Sequence, residues 1–83
     1  MNHSELAKKA VEAVGGKQVV LARLVDLAPA YLNQICSGAR QIPIEHMAAF
    51  EVASKGAVTR QQMCPSAWRR IWPELAQQEA ANV

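Results

Sequence analysis

Residues 18–35 constrain the fold most strongly, because two short helical patterns are separated there by only three residues. The apolar side chains that recur at helical spacing are Leu21, Ala22, Leu24 and Val25 in the first pattern, and Tyr31, Leu32 and Ile35 in the second. Pro29 stands where the second helix would begin, a position that suits its fixed φ and missing N–H. The pattern predicts a helix-turn-helix whose second helix runs from Pro29 to Cys36.

The turn between the two helices, Val25-Asp26-Leu27, has an unusual composition. Asp26 occupies the position where such turns usually have a glycine with positive φ, and aspartate tolerates that region better than most residues. Leu27 is apolar and is expected to fill the gap between the helices. Ala28 stands where a serine or threonine cap would be expected, and whether Asp26 supplies the cap instead stays open.

The rest of the chain predicts further helices. Leu6, Ala10, Ala13 and Val14 form an apolar stripe that Ser4 would cap and Gly15-Gly16 would end. Pro43 is expected to begin a fourth helix that continues to about Ser54, with Met47 and Phe50 facing the core. Thr59 is the expected cap of a short turn over residues 60–64.

The last part of the chain is expected to be less regular. Ser66 would cap a final helical piece that Pro73 interrupts, and the polar, alanine-rich residues 77–83 are expected to fray. Since 83 residues make one small domain, residues 1–83 are expected to form a single unit. Its core would span about residues 4–64, and residues 65–83 would form a C-terminal extension. Abundant alanine and only 5% aromatic residues favour an all-α fold of four to five helices.

Composition also limits the function. No run approaches the roughly 20 apolar residues that a membrane helix needs, and the N-terminus lacks the order of a signal peptide. The two cysteines, Cys36 and Cys64, are therefore expected to be reduced thiols in a cytoplasm. The net charge of +2 permits nucleic-acid binding without establishing it.

Catalysis and metal binding have little support in the sequence. The candidate zinc ligands are His3, Cys36, His46 and Cys64, and they lack the close paired spacing of structural zinc sites. Cysteine with histidine could also form a thiol nucleophile, but nothing brings them together and the chain has little room for a substrate pocket. The chain is therefore expected to use no metal or cofactor and not to be an enzyme.

Helical geometry identifies candidate DNA-contacting residues. If Leu32 and Ile35 face the core, the opposite side of the second helix presents Pro29, Ala30, Asn33, Gln34 and Ser37. Asn33 and Gln34 are the expected base readers, since each amide can donate and accept across an adenine edge. Backbone contacts are expected from Lys17, Gln18, Tyr31 and Arg40. The alternative is that the two amides are ordinary solvated groups on a surface helix.

The segment after Pro65 carries four large apolar residues, namely Trp68, Ile71, Trp72 and Leu75. Their spacing of three to four residues would put them on one helical face. Two interpretations stay open: packing onto the domain's own core, and contact with a second copy in a homodimer. Arg69 and Arg70 are expected to be solvated, with DNA backbone contact as the alternative.

Several segments together resemble a known family. The chain is similar to the small Cro-type regulators of phages and prophages grouped as the YdaS family, over roughly residues 5–65. The segments that match are AVEAVGG at 10–16, Ala22-Arg23, the linker from Ser37-Gly38 to Pro43, and EVASKGAVTR at 51–60. Two positions depart from the pattern: Asp26 replaces the turn glycine, and Lys55 replaces a glycine common in the family.

The resemblance implies a compact helical domain of the Cro and lambda-repressor type that binds double-stranded operator DNA. The expected function is repression of a phage or prophage promoter by a homodimer, in the nucleoid. Members of the family also occur near toxin–antitoxin-like loci, so the alternative is a toxin or antitoxin that acts by binding a protein partner.

Overall fold

Seven helices follow one another in residues 2–81, the part of the chain that this computed structural model describes (side chains to residue 78). They are α1 (His3–Ala13), α2 (Gln18–Leu24), α3 (Pro29–Ser37), α4 (Ile44–Ala53), α5 (Arg60–Met63), α6 (Trp68–Ile71) and α7 (Pro73–Ala81). No strand occurs in those residues, so the predicted all-α fold class is confirmed. The helices exceed the expected four to five because the segment after Pro65 forms two of its own.

The first helix begins earlier than the sequence predicted. Asn2 is its N-cap, and the Asn2 Oδ1 accepts a hydrogen bond from the Glu5 backbone N–H at 2.8 Å. Ser4 was predicted to be the cap; instead it lies inside the helix, and its hydroxyl donates to the Cys36 carbonyl of α3. Ser4 thus joins α1 to α3 through a bond between residues that are 32 positions apart in sequence. The predicted end is confirmed, since Gly15 and Gly16 both have positive φ.

Helices α2 and α3 form the predicted helix-turn-helix. Their axes are bent by 115° at the turn, within the range typical of the motif. Asp26 has φ 58°, and the next amide, Leu27 N–H, donates to the Ala22 carbonyl at 2.9 Å. Ala28 is the N-cap of α3 and no side chain caps it, so Asp26 does not supply the missing cap.

The core lies where α1 and α2 pack against α3, and α4 and α5 cover the other side. Its largest fully buried side chains include Leu6, Leu21, Leu32, Ile35 and Phe50. Ala22 is buried as well, as expected for a small residue where helices cross closely. Leu27 packs against this cluster from the turn, which agrees with its predicted role.

The predictions for the segment that follows α3 are largely confirmed. Pro43 precedes α4 as its N-cap, and Ser54 ends the helix. The Ser54 hydroxyl accepts from the Val58 N–H at 3.2 Å, which closes the loop between α4 and α5. Thr59 caps α5 in a capping box with Gln62, as its sequence position predicted.

The segment after Pro65 differs from expectation. The residue at the N-cap of α6 is Ala67, without a side-chain bond, so Ser66 is not the cap. Helix α6 ends at Ile71 with Trp72 as its C-cap, and Pro73 begins α7, a helix that the sequence did not predict. The first five of the residues expected to fray, 77–81, lie in α7. Asn82 and Val83, at the end of that expected fraying, lie outside the described residues.

Membrane-spanning potential is limited in residues 2–81. No single helix there is long and apolar enough to cross a membrane. Helices α2 and α3 taken together have sufficient length and composition, but they are bent sharply at their junction.

Candidate nucleic-acid interface

The predicted outer face of α3 is exposed. Leu32 and Ile35 are completely buried, and the residues on the opposite side, all exposed, are Pro29, Ala30, Asn33, Gln34 and Ser37. Neither the first nor the last turn of α3 contains a charged residue. The helix therefore presents a neutral surface of amides, a hydroxyl and small apolar groups, which is the chemistry that reads base edges.

The two amides on this face have different surroundings. Within residues 2–81 the Asn33 side chain makes no hydrogen bond, so its oxygen and nitrogen both point to solvent. The Gln34 Oε1 accepts a hydrogen bond from the Nε of Arg40. The guanidinium of Arg40 also lies over the Tyr31 ring, 4.9 Å from its centroid. Gln34, an expected base reader, and Tyr31 and Arg40, both expected to contact the DNA backbone, thus form one cluster.

Helical spacing did not predict this cluster, since Gln34 and Arg40 are six residues apart and Arg40 lies beyond the end of α3. The signal that could have identified it is Gly38, which ends α3 in the left-handed conformation with φ 90° and turns the chain back.

The predicted backbone-contacting residues are in different environments. Lys17 is exposed at the N-cap of α2, and Gln18 is half-buried beside it. Tyr31 is half-buried and packs against the core, while Arg40 is exposed above it. Backbone contact by Lys17, Gln18, Tyr31 and Arg40 stays a prediction, with Lys17 and Arg40 as its two cations.

The side chains that were considered as zinc ligands have other partners. His3 accepts from the Ile42 N–H through Nδ1 at 2.8 Å and donates through Nε2 to the Met63 carbonyl at 2.6 Å. His46 Nδ1 donates to the carbonyl of Val25, the first residue of the turn, at 2.9 Å. Within residues 2–81 no three histidine, cysteine or acidic side chains are grouped to hold a metal ion.

Both cysteines are free thiols, and Cys36 is buried in the core beneath the outer face of α3. Burial raises the pKa of the Cys36 thiol, and the positive charge of Lys8 partly opposes this shift. A neutral buried thiol of this kind acts as a small apolar residue.

The C-terminal apolar residues mostly pack onto their own chain. Trp68 and Leu75 are each only 7% exposed, and Trp72 packs against the core with the Arg60 guanidinium 5.5 Å from its ring. Because the helix breaks at Trp72, the four residues do not share one helical face, which corrects that prediction. Ile71 and Trp72 remain half-buried.

Exposed large apolar residues lie elsewhere, on α2 and α4. They are Val19, Val20, Leu24, Ile44 and Val52, of which Val52 is 78% exposed. Leu24 and Val52 border a shallow groove floored by alanines of α4. The sequence did not indicate this groove, because helical spacing alone does not show which apolar residues of α2 and α4 face the core.

Comparisons with known proteins agree with the helical geometry. The family model described as "Bacterial toxin YdaS" matches residues 7–71. The chain is also 40% identical over 58 residues to the "Putative transcriptional regulator YdaS" of Escherichia coli (strain K12). That alignment covers 70% of this chain and 58% of the relative, so the chain spans less than two thirds of the relative's length. No solved structure matches the chain.

The family match extends from α1 through α6 and so includes the whole helix-turn-helix. On this evidence the chain belongs to the YdaS family.

Proposed function

We propose that the chain is a sequence-specific DNA-binding regulator of transcription, of Cro type, that represses a phage or prophage promoter. The observation that supports this most directly is the exposed, uncharged polar face of α3, held at 115° to α2 by a buried core. In such a motif the second helix enters the major groove. The relative's name, a transcriptional regulator, points in the same direction.

Binding would rely on two kinds of contact. Asn33 and Gln34 would read base edges, with Ala30 against a thymine methyl and Pro29 and Ser37 beside them. Lys17 and Arg40 would contact phosphates, which supply affinity without sequence information. The chain would act by binding alone, without catalysis or a cofactor.

A single recognition helix covers only a few base pairs, so we propose that the chain binds as a homodimer on a nearly symmetric operator. Two-fold pairing would put the recognition helices about one DNA turn apart, roughly 10 base pairs. Occlusion of polymerase at such an operator would cause repression. The site of action would be the bacterial cytoplasm, at the nucleoid.

Selection of binding sites from random double-stranded DNA tests this proposal. Asn33→Ala and Gln34→Ala should each weaken binding to the selected site by about 1–3 kcal/mol and relax the preference at one base pair. Gln78→Ala is the matched control, because Gln78 is an exposed amide on α7, away from the motif. If both motif variants bind the selected site as wild type does, α3 is not the reading helix.

The family model is named for a toxin, which supports a second candidate, a small toxin. The other form of this alternative is an antitoxin, and either one would act by binding a protein partner. Expression in a bacterial host separates the two. A toxin of this kind should remain toxic after loss of both Asn33 and Gln34, whereas toxicity caused by DNA binding should disappear. An antitoxin should instead rescue cells from the product of a neighbouring toxin gene.

A further inference from the structure

The end of α3 brings Arg40 back to the recognition face. Gly38 has φ 90°, and beyond it the amides of Ala39 and Arg40 both donate to the Gln34 carbonyl, at 2.9 and 3.2 Å. The Ser37 hydroxyl donates to the same carbonyl at 3.0 Å. Backbone bonds therefore hold Arg40 next to Gln34, so their proximity does not depend on side-chain conformation alone.

The side chains continue this contact. Tyr31 lies one turn before Gln34 on α3 and packs against the core, so its ring is a fixed platform. The Arg40 guanidinium lies over that ring at 4.9 Å, and its Nε donates to the Gln34 Oε1. A stacked guanidinium loses little freedom when it donates in its own plane, which favours this arrangement.

The contact changes what Gln34 offers to DNA. A free glutamine amide presents two donors on Nε2 and one acceptor oxygen with two lone pairs. The Arg40 Nε, a charged donor, occupies one lone pair of Oε1. This makes a second donor at the same oxygen less favourable and polarises the Nε2 donors, which strengthens their donation to a base. Adenine requires a donor and an acceptor side by side, and cytosine presents a donor, whereas guanine presents two acceptors, O6 and N7.

We propose that Arg40 is a positioning residue that favours donation by Gln34 over acceptance, so that Gln34 reads guanine. This inference rests on the proposed function and replaces the expectation that both amides read adenine. Asn33, which has no partner in residues 2–81, keeps both groups and remains the adenine reader. The operator half-site therefore contains a guanine at the Gln34 position next to the base pair read by Asn33.

The substitution Arg40→Lys distinguishes positioning of Gln34 from a purely electrostatic contact with phosphate. Arg40→Lys retains a positive charge for a phosphate, but it has no Nε donor in a planar fork. If Arg40 acts only on phosphate, Arg40→Lys should keep the wild-type base preference. If it positions Gln34, Arg40→Lys should lose that preference much as Arg40→Ala does.

The experiment is site selection from random DNA with wild type, Gln34→Ala, Arg40→Ala and Arg40→Lys, and with Asn33→Ala as the matched control. Gln34→Ala identifies the base pair that Gln34 reads. Wild type should prefer guanine there, and both Arg40 variants should lower the guanine-to-adenine ratio by about tenfold. Asn33→Ala should leave guanine at that position unchanged. Any other preferred base in wild type, or a preference unchanged in Arg40→Lys, overturns the proposal.

A measurement on the free protein distinguishes the two possible failures. The Arg40 Nε–H signal in NMR spectra should exchange slowly with water in wild type and Asn33→Ala, and rapidly in Gln34→Ala. Equal exchange in all three overturns the positioning role even if the protein binds DNA. If the Arg40 Nε–H signal exchanges slowly but the protein selects no DNA sequence, the proposed function is overturned, and the guanine assignment with it.

Discussion

One carboxylate oxygen of Glu51 accepts two hydrogen bonds from Arg60: the backbone N–H at 2.8 Å and the side-chain Nε at 3.3 Å. These residues begin and end the segment EVASKGAVTR, and their contact joins α4 to the first turn of α5. The Arg60 guanidinium continues toward the tail, where it lies over Trp72 and reaches within 3.9 Å of Glu74. Arg60 thus connects three parts of the fold through one side chain.

Glu51→Ala should lower the free energy of unfolding by about 1–2 kcal/mol, because it leaves two donors of Arg60 without their acceptor. The Glu51 side chain is 27% exposed and that of Arg60 19%, so water compensates for part of the lost hydrogen bonding. Glu51→Gln keeps an acceptor oxygen and should cost about half as much. Urea denaturation measures both, and Glu45→Gln, an exposed position on the same helix, is the control. A Glu51→Ala midpoint equal to that of wild type would contradict the bracing role.

Asp26→Gly should fold as well as wild type or better, because glycine adopts φ 58° without a side chain to resist it. The gain should stay under ~1 kcal/mol, since aspartate already tolerates the region and glycine loses more entropy on folding. Lys55 has φ 54°, so Lys55→Gly tests the same effect at a second turn. Thermal melts would check both, and clear destabilisation by Asp26→Gly would mean that its carboxylate has a stabilising partner.

Lys17→Ala should weaken specific and non-specific DNA binding alike and flatten the slope of log affinity against log salt by about one unit. The reason is that Lys17, exposed at the N-cap of α2, carries a positive charge beside the helix-turn-helix and lies outside α3, the proposed base-reading helix. Titrations at several salt concentrations measure the slope. Lys9→Ala removes the same charge from the exposed side of α1, and an equal effect of both variants would assign the result to net charge.

Trp72→Ala should lower operator affinity without abolishing the fold, because Trp72, like Ile71, is only half-buried and keeps apolar surface available to a second copy. Trp68→Ala is the contrast: at 7% exposure Trp68 is core, and its loss should cost about 3–5 kcal/mol. Sedimentation and operator titration of Trp72→Ala decide the first part. A folded Trp72→Ala that associates and binds as wild type does would place the dimer contact elsewhere.

Cys36 should react with a thiol reagent far more slowly than Cys64, because it is 4% exposed and burial raises its pKa, which keeps the thiol neutral. A raised pKa in the folded state favours the folded protein below the ordinary value of 9.0, and this contribution is lost as pH rises through the raised value. The free energy of unfolding should therefore fall as the pH rises above 9.0. This fall should be smaller in Cys36→Ala, which lacks the buried thiol, than in Cys64→Ala. Equal reaction rates of the two thiols in the folded protein would contradict this.

Local sequence was sufficient to predict the helix-turn-helix. The spacing of Leu21, Leu32 and Ile35, with Pro29 at a helix start, depends on interactions within a few residues, and the structure buries all three apolar side chains. The positive φ of Asp26 and the capping box of Thr59 with Gln62 are equally local. Such features follow from backbone sterics and from hydrogen bonds that close over three or four residues.

Contacts between distant residues were decided by the tertiary structure. Ser4 has the composition of a cap, but its hydroxyl bonds to Cys36 of α3, and Asn2 caps α1 instead. The spacing of the four apolar tail residues suggested one continuous face, but the helix breaks at Trp72, and Trp68 and Leu75 are buried. The Arg40 contact to Gln34 depends on the turn at Gly38, which periodicity does not describe. Sequence patterns show which side chains of a segment can be buried. They do not show which distant residues those side chains contact, because such contacts form only when segments far apart in sequence pack together.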